Sequence, residues 1–534
     1  MLARLFHYGS MGCGASKAYT IPASGPPSKQ APSASKPQHP PLIKKESNAE
    51  NQKAYEAGTL KHEPPQFEFF DPAGREDAAV MIKEVKLPLA LQTHEVCYEP
   101  VTKCVFVSQM SNSVLVRIPI DENGFLASDQ DAWRVGELND AGDGISGMHN
   151  VSLSAAHPGC LWISLQYANQ LLLVDVRAGS TLRVLQVLHV PTCYTDPETG
   201  TLVHVGGPHC MREEPTTGDV WVGLKGALKD APCGKASKSA RSSCCNPEAL
   251  EANMALLARR GMDTPIPEGW AVWRVAPSRY DPTAADGAKG GVIYPCLKSP
   301  PMLDFDGHGN AYVPQDGVDT LLHIDAESGA CEQLAVPFPA GEPPRGGAAP
   351  RITGPAIARG PDGAIWMSLL GSYNALVRID ADDGKGRTLY NFGGPPWASK
   401  LRLIHIAFSA ADKDDGQNRI YALSSDLLDD EAVNSIVVLL MDQKWRKCLG
   451  RRVIPLPTQD CACHRIAFVD AAISGQPGRS RSIVVTELAS SKLLQIKTQH
   501  LTDVTSLTET ISTDSDGFEV RTYVDTGDAA ASAC

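Results

Sequence analysis

The chain reads as an all-β protein, a seven-bladed β-propeller with four-stranded blades, and three observations predict it. One phrase recurs seven times: an apolar stretch, a Gly/Asp/Asn-rich turn, a strand with an aromatic or apolar centre, and a strand such as LVRI. The copies follow at intervals of roughly 50–60 residues, the mark of a radial array of β-units. The piece Ile82–Pro88 alternates like a strand but has no repeat in front of it. It is therefore expected to complete the last blade and close the ring, which removes free sheet edges.

Residues 1–75 are expected to be a disordered leader and linker. From about Ser16 to Pro65 the chain is rich in Pro, Ser, Ala, Lys and Gln and carries too little apolar surface to fold. Ahead of this stretch, Met11-Gly12-Cys13-Gly14-Ala15-Ser16 fits the pattern for N-myristoylation at Gly12, with Cys13 placed for palmitoylation. Two acyl chains would supply the two signals that stable anchoring needs, provided translation starts at Met11. The chain is then expected to be cytoplasmic, anchored on the cytoplasmic face of a membrane. An Arg-bearing organelle presequence at residues 1–7 and a plain cytosolic protein are the alternatives.

The propeller is expected over residues 76–497. Its first strands open at His94, His149, His209, Met302, Ala356, His405 and His464. First strands line the central channel, so equivalent positions form a ring, and five of the seven are histidines. Converging imidazoles are candidate metal ligands at His94, His149, His209, His405 and His464. The alternative is that each is separately hydrogen-bonded in a wet channel. Second strands end in register at Gln109, Leu165, Leu224, Gln315, Leu369, Ser424 and Glu487. Only the last repeat offers a carboxylate there, beside His464. Glu487 is thus a further candidate ligand, or a charged partner for a base, against the alternative of a solvated strand end.

Repeat three carries the largest insertion, 225–268, in which Asn246-Pro247-Glu248 is expected to start a helix that ends at Gly261. It is read either as a flap over the channel or as surface decoration. Residues 498–534 form a polar C-terminal tail, in which Phe518–Val524 has the pattern of an extra strand. Net charge −12 and a pI near 5.6 argue against a nucleic-acid partner. Fifteen cysteines are too sparse for a disulfide scaffold and odd in number, and Cys461-Ala462-Cys463-His464 matches no standard zinc spacing.

The phrase Gly354-Pro-Ala-Ile-Ala-Arg-Gly-Pro-Asp-Gly-Ala-Ile-Trp-Met-Ser368, followed by Asn374-Ala-Leu-Val-Arg-Ile-Asp380, resembles the repeat of the virginiamycin B lyase (streptogramin lyase) family. The likeness covers residues 82 to about 497 and is clearest in repeat five. It implies a magnesium ion held by histidine and glutamate side chains of the late blades, with His464 as catalytic base and His405 as its neighbour. The implied activity is a lyase or hydrolase opening a small cyclic ester by elimination. The family's acidic residue shortly before the last histidine has no counterpart, since Ala462 stands there. Two other readings stand beside it. Five imidazoles suit iron or copper, as in a histidine-ligated oxidoreductase. A propeller can equally serve as a non-catalytic, membrane-tethered binding platform.

Overall fold

The computed structural model describes residues 59–60, 62–63 and, with interruptions of which 226–268 and 339–355 are the longest, 82–525. The acylation pattern at Gly12 and Cys13 and the helix expected after Asn246 lie outside the described residues. No helix among the described residues is long and apolar enough to cross a membrane.

The fold is a β-propeller. Repeats one to six each contribute four antiparallel strands hydrogen-bonded to their neighbours in order. In repeat one these are Thr93–Glu99, Cys104–Gln109, Val114–Pro119 and Asp131–Arg134. The last repeat supplies only three from its own sequence, and Ile82–Lys86 pairs with Lys492–Lys497 to complete it. The two ends of the propeller thereby lock each other.

Alternation explains why these segments are strands. Side chains on successive residues face opposite sides, so a strand packed between two neighbouring sheets is apolar on both faces. The second strands CVFVSQ and CLWISL are buried at every position. Their aromatic centres, Phe106, Trp162, Trp221, Tyr312, Trp366 and Tyr421, are all at most 1% exposed. Each aromatic residue packs against the next repeat, giving separate apolar layers between neighbouring sheets. Another layer joins Val469, Val484 and Leu493 of repeat seven to Val105, Val107 and Val116 of repeat one. Truncating one such aromatic to alanine is expected to cost about 3–5 kcal/mol.

Both flanking regions contain strands: the leader's composition predicts loose chain, whereas the extra strand expected at Phe518–Val524 is present as Glu519–Asp525. Thr59–Leu60 pairs with Leu182–His189 on the outer edge of repeat two, and His62–Glu63 with Asp131–Arg134 on that of repeat one. Edge pairing uses backbone groups, which any sequence carries, so a composition argument about core formation does not register it. In the tail, Thr505–Thr513 and Glu519–Asp525 form a hairpin. One strand pairs in parallel with Arg387–Asn391 of repeat five, the other with Cys448–Pro455 of repeat six. Tyr523 anchors the hairpin: fully buried, it receives the Cys448 N–H at 3.2 Å and donates its hydroxyl to Glu509 at 2.7 Å.

Candidate functional site

Besides a register shift between Leu403 and His405 in repeat six, the first strands of repeats seven, one, two and three share a backbone irregularity. Each contains a β-bulge between Cys463 and Ile466, Thr93 and Val96, Met148 and Val151, or Pro208 and Met211. In each, two residues oppose one on the second strand, which re-aims side chains and breaks strict alternation. The bulged pairs are His464-Arg465, His94-Glu95, His149-Asn150 and His209-Cys210.

What opposes each bulge is a small residue with a defined task. Ser108 accepts the Glu95 N–H at 2.9 Å and donates to the carbonyl of His149 at 2.7 Å. Ser164 does the same between the Asn150 N–H and the His209 carbonyl, both at 2.9 Å. Thr486 links the Arg465 N–H at 3.0 Å to the His94 carbonyl at 2.8 Å. One hydroxyl thus satisfies its own bulge and fastens the histidine backbone of the next repeat. In repeat three Gly223 takes this position, where a Cβ would lie 2.6 Å from the Pro300 carbonyl.

This scaffold brings four of the predicted imidazoles together. His464 and His94 have ring centroids 4.2 Å apart, His94 and His149 3.7 Å, and His149 and His209 3.6 Å. All four are buried. Both ring nitrogens of His149 and both of His464 are buried without a hydrogen-bond partner. At the far end, His209 Nδ1–H donates to the Pro301 carbonyl at 2.9 Å, and Lys225 Nζ lies 3.4 Å from Nε2.

His405 and Glu487 are placed differently. The ring contacts of the four histidines do not extend to His405, whose Nδ1 is buried without a hydrogen-bond partner. Glu487 pairs in register with Cys463, the residue before His464, and cross-strand partners share a face. Its neighbours are Ser490, which donates to Oε2, and Glu84 and Lys492. Glu487 thus belongs to a carboxyl cluster with Glu84 at the ring closure.

The carboxylate that does join the histidines is Glu95, which alternation would have turned away from the channel. His94, Glu95 and His149 offer ligand atoms all within 4.8 Å of one another, the one such grouping of His, Cys, Asp or Glu among the described residues. Glu95 receives a hydrogen bond from Arg465 Nε, and its Oε1 is 3.7 Å from His94 Nδ1. Arg465 is itself 4% exposed, donates to the His464 carbonyl at 3.2 Å, and reaches Met302 Sδ at 3.6 Å.

The electrostatics follow from burial. Burial opposes ionisation of Glu95, yet the Arg465 guanidinium and His94 hold its carboxyl well below the usual range. Burial, together with neighbouring positive charge, lowers His149, His209 and His464 well below the ordinary imidazole value, and His405 to about 3. Neutral imidazoles beside an ionised carboxylate are the protonation states that metal coordination requires. Burial pushes Glu487 up to about 8, with Glu84 adding to the rise.

No protein-family model matches the chain, and no curated protein matches its sequence. Solved structures do match in fold. Virginiamycin B lyase from Staphylococcus aureus is 12% identical, with 78% of this chain and 99% of that one covered at a TM-score of 0.46. The fold is similar to that β-propeller. A streptogramin B lyase is 15% identical over 78% of this chain and 97% of that one, at 0.45. The dihydro-heme d1 dehydrogenase NirN is 14% identical over 87% and 81%, at 0.41. At these identities the likeness is one of fold alone.

Proposed function

We propose that the side of the ring carrying His464, His94, His149 and His209 is the active site of a metal-assisted lyase or hydrolase acting on a small cyclic ester-type molecule. One observation carries the reading. Four buried ring nitrogens on His149 and His464 have no hydrogen-bond partner, beside an ionised, buried Glu95. Buried polar atoms are nearly always satisfied, and exceptions of this kind mark an ion, a water or a catalytic role. The donor set fits a metal: His94, His149 and Glu95 would hold it, with His464 and His209 flanking. Imidazole-rich donors suit zinc, iron or copper better than the magnesium that the resemblance implies.

Such an ion, when bound, would polarise a carbonyl and acidify the proton next to it. The rest is done by the chain's own side chains. His464 is neutral at pH 7 and presents an unpaired ring nitrogen, so it can take a proton. Its lowered pKa makes it a weak base, matched to a proton already acidified. Thr486 and Ser108 hold the His94 and His149 backbones, which limits drift of the rings.

Elemental analysis of the purified full chain tests the reading. The expected result is about one equivalent of a transition metal, lost in His149→Ala, with turnover of a cyclic depsipeptide or lactone that His464→Ala abolishes. Protein without metal, unaffected by added zinc, iron, copper or magnesium, would overturn it. A second reading, a histidine-ligated iron or copper oxidoreductase, is favoured by the same imidazole-rich donors. Tightly held iron or copper that changes oxidation state with substrate would select it.

A further inference from the structure

Arg465 is placed where no purely structural cation is needed. Its guanidinium lies in the channel from repeat seven, with Nε on the Glu95 carboxylate, one Nη on the His464 carbonyl and the other against Met302 Sδ of repeat four. Of these, only Glu95 belongs to the grouping able to hold an ion. Arg465 thus occupies, with one positive charge, the carboxylate that a metal would take.

Resting on the proposed function, we propose that Arg465 is an internal counter-ion for Glu95 that an incoming metal displaces, and that the displaced guanidinium then binds an anionic group of the substrate. Charge balance leads there. Glu95 and Arg465 neutralise one another in the pocket as it stands. Adding a divalent ion leaves two excess positive charges in a buried space, with Lys225 beside His209 at one end and held 3.8 Å from Asp316. A buried charge excess of this kind requires an anion. The contacts to the His464 carbonyl and Met302 keep the guanidinium in the channel after Glu95 is surrendered. Its planar fork suits a carboxylate or another oxyanion. The substrate class is therefore a small molecule bearing both an ester-type carbonyl and an anionic oxygen group.

The test measures two affinities that are expected to move in opposite directions. Zinc(II) affinity of the full chain is read by chelator competition, and acetate binding by its effect on the visible absorption of the cobalt(II)-loaded protein. In Arg465→Gln, zinc(II) should bind more tightly, on the order of tenfold, because a competing positive charge is gone. Acetate binding by the cobalt form should fall by a similar factor. Arg465→Lys keeps the charge but not the fork and should shift both in the same senses, less far. Should Arg465→Gln fold poorly without metal, refolding with zinc(II) is expected to restore it, since the ion supplies the missing counter-charge. A variant that weakens both affinities, or changes neither, would overturn the counter-ion role. If neither Gln nor Lys variant folds even with zinc(II), Arg465 is structural and the inference also fails. Wild-type protein that binds no metal sinks the site reading instead, so the two failures are distinguishable.

Discussion

Repeats seven, one, two and three differ from repeats four and five at the same place in the same phrase. The first four open on a bulged strand bearing His464, His94, His149 or His209. Repeats four and five have Met302 and Ala356 there, followed by short first strands, Asp304–Phe305 and Ile357–Arg359, that pair without a register shift. Met302 and Ala356 are both buried, so the contrast is not between an occupied and an exposed wall. It is between a side that carries orphaned polar atoms and a side that closes the space with apolar ones. Propeller packing itself is served equally by both: Trp366 in repeat five is as buried as Trp162 in repeat two. The bulge is thus an addition to the fold, of the sort that occurs beside active sites.

The largest way to break the comparison is at Arg465. Replacing it by Met leaves Glu95, buried and ionised, without its partner, and should lower the stability of the metal-free protein by about 3–5 kcal/mol in denaturant or thermal unfolding. Replacing Glu95 by Leu at the same time should recover most of that loss, because neither charge is then stranded. A double variant as unstable as the single would show that the pair is not the source of the effect.

A somewhat smaller effect is expected on metal retention. His149→Ala removes a ligand and should weaken binding by roughly a hundredfold or more, beyond what loss of a supporting hydrogen bond causes. Ala356→Ser, on the apolar side, should leave metal content unchanged. Equal loss from both would mean that the ion, if bound, is held by the whole ring rather than by the side carrying His464, His94, His149 and His209.

The hydroxyl staples sharpen the contrast further. Thr486→Val strands the His94 carbonyl and the Arg465 N–H, whereas the Ala356 N–H and the Ile404 carbonyl, which share Ser368 in the other repeats, also bond each other at 3.1 Å. Thr486→Val should cost about 1–3 kcal/mol of stability, and Ser368→Ala less. Only Thr486→Val should also lower metal affinity, since only its carbonyl partner belongs to a ligand.

Much of this was legible in the residues. The seven-fold phrase predicted the sheets, and the closing role of Ile82–Lys86 followed from its having no repeat of its own. Register along first strands singled out five histidines, of which His464, His94, His149 and His209 meet ring to ring and His405 does not. What could not be read was the bulge, because strand periodicity of two assigns His94 and Glu95 to opposite faces. Once that rule is kept, Glu95 and Arg465 are turned away and Glu487 is the only carboxylate left for the site. A signal was present nonetheless: Ser108, Ser164 and Thr486 stand one residue before the strand ends Gln109, Leu165 and Glu487. Small hydroxyl residues in register within otherwise apolar strands point to a shared backbone task.

Glu487 offers a test by pH at the ring closure. Its folded value, pushed up to about 8 by burial, lies above its ordinary value of 4.5, so the native state holds the proton more tightly than the unfolded chain. Stability from this group is fully present below about 4.5 and is lost as pH rises toward 8. His405, lowered to about 3, acts in the opposite sense, with stability lost as pH falls below 6.5. Glu487→Gln should flatten the alkaline limb of unfolding free energy against pH and leave the acid limb in place. An unchanged alkaline limb would show that Glu487 is ionised and compensated in the native protein.

The smallest expected effect belongs to Met302, a residue of the apolar side that touches the polar one. Its sulfur lies 3.6 Å from an Arg465 nitrogen, a weak acceptor at long range. Met302→Leu conserves volume in a buried setting and should change stability by less than about 1.5 kcal/mol. Metal affinity should stay within a factor of two or so, since Glu95 and the His464 carbonyl still hold the guanidinium. A large loss of either would mean that repeat four positions Arg465, and the division into two halves would then have to be redrawn through Met302 rather than beside it.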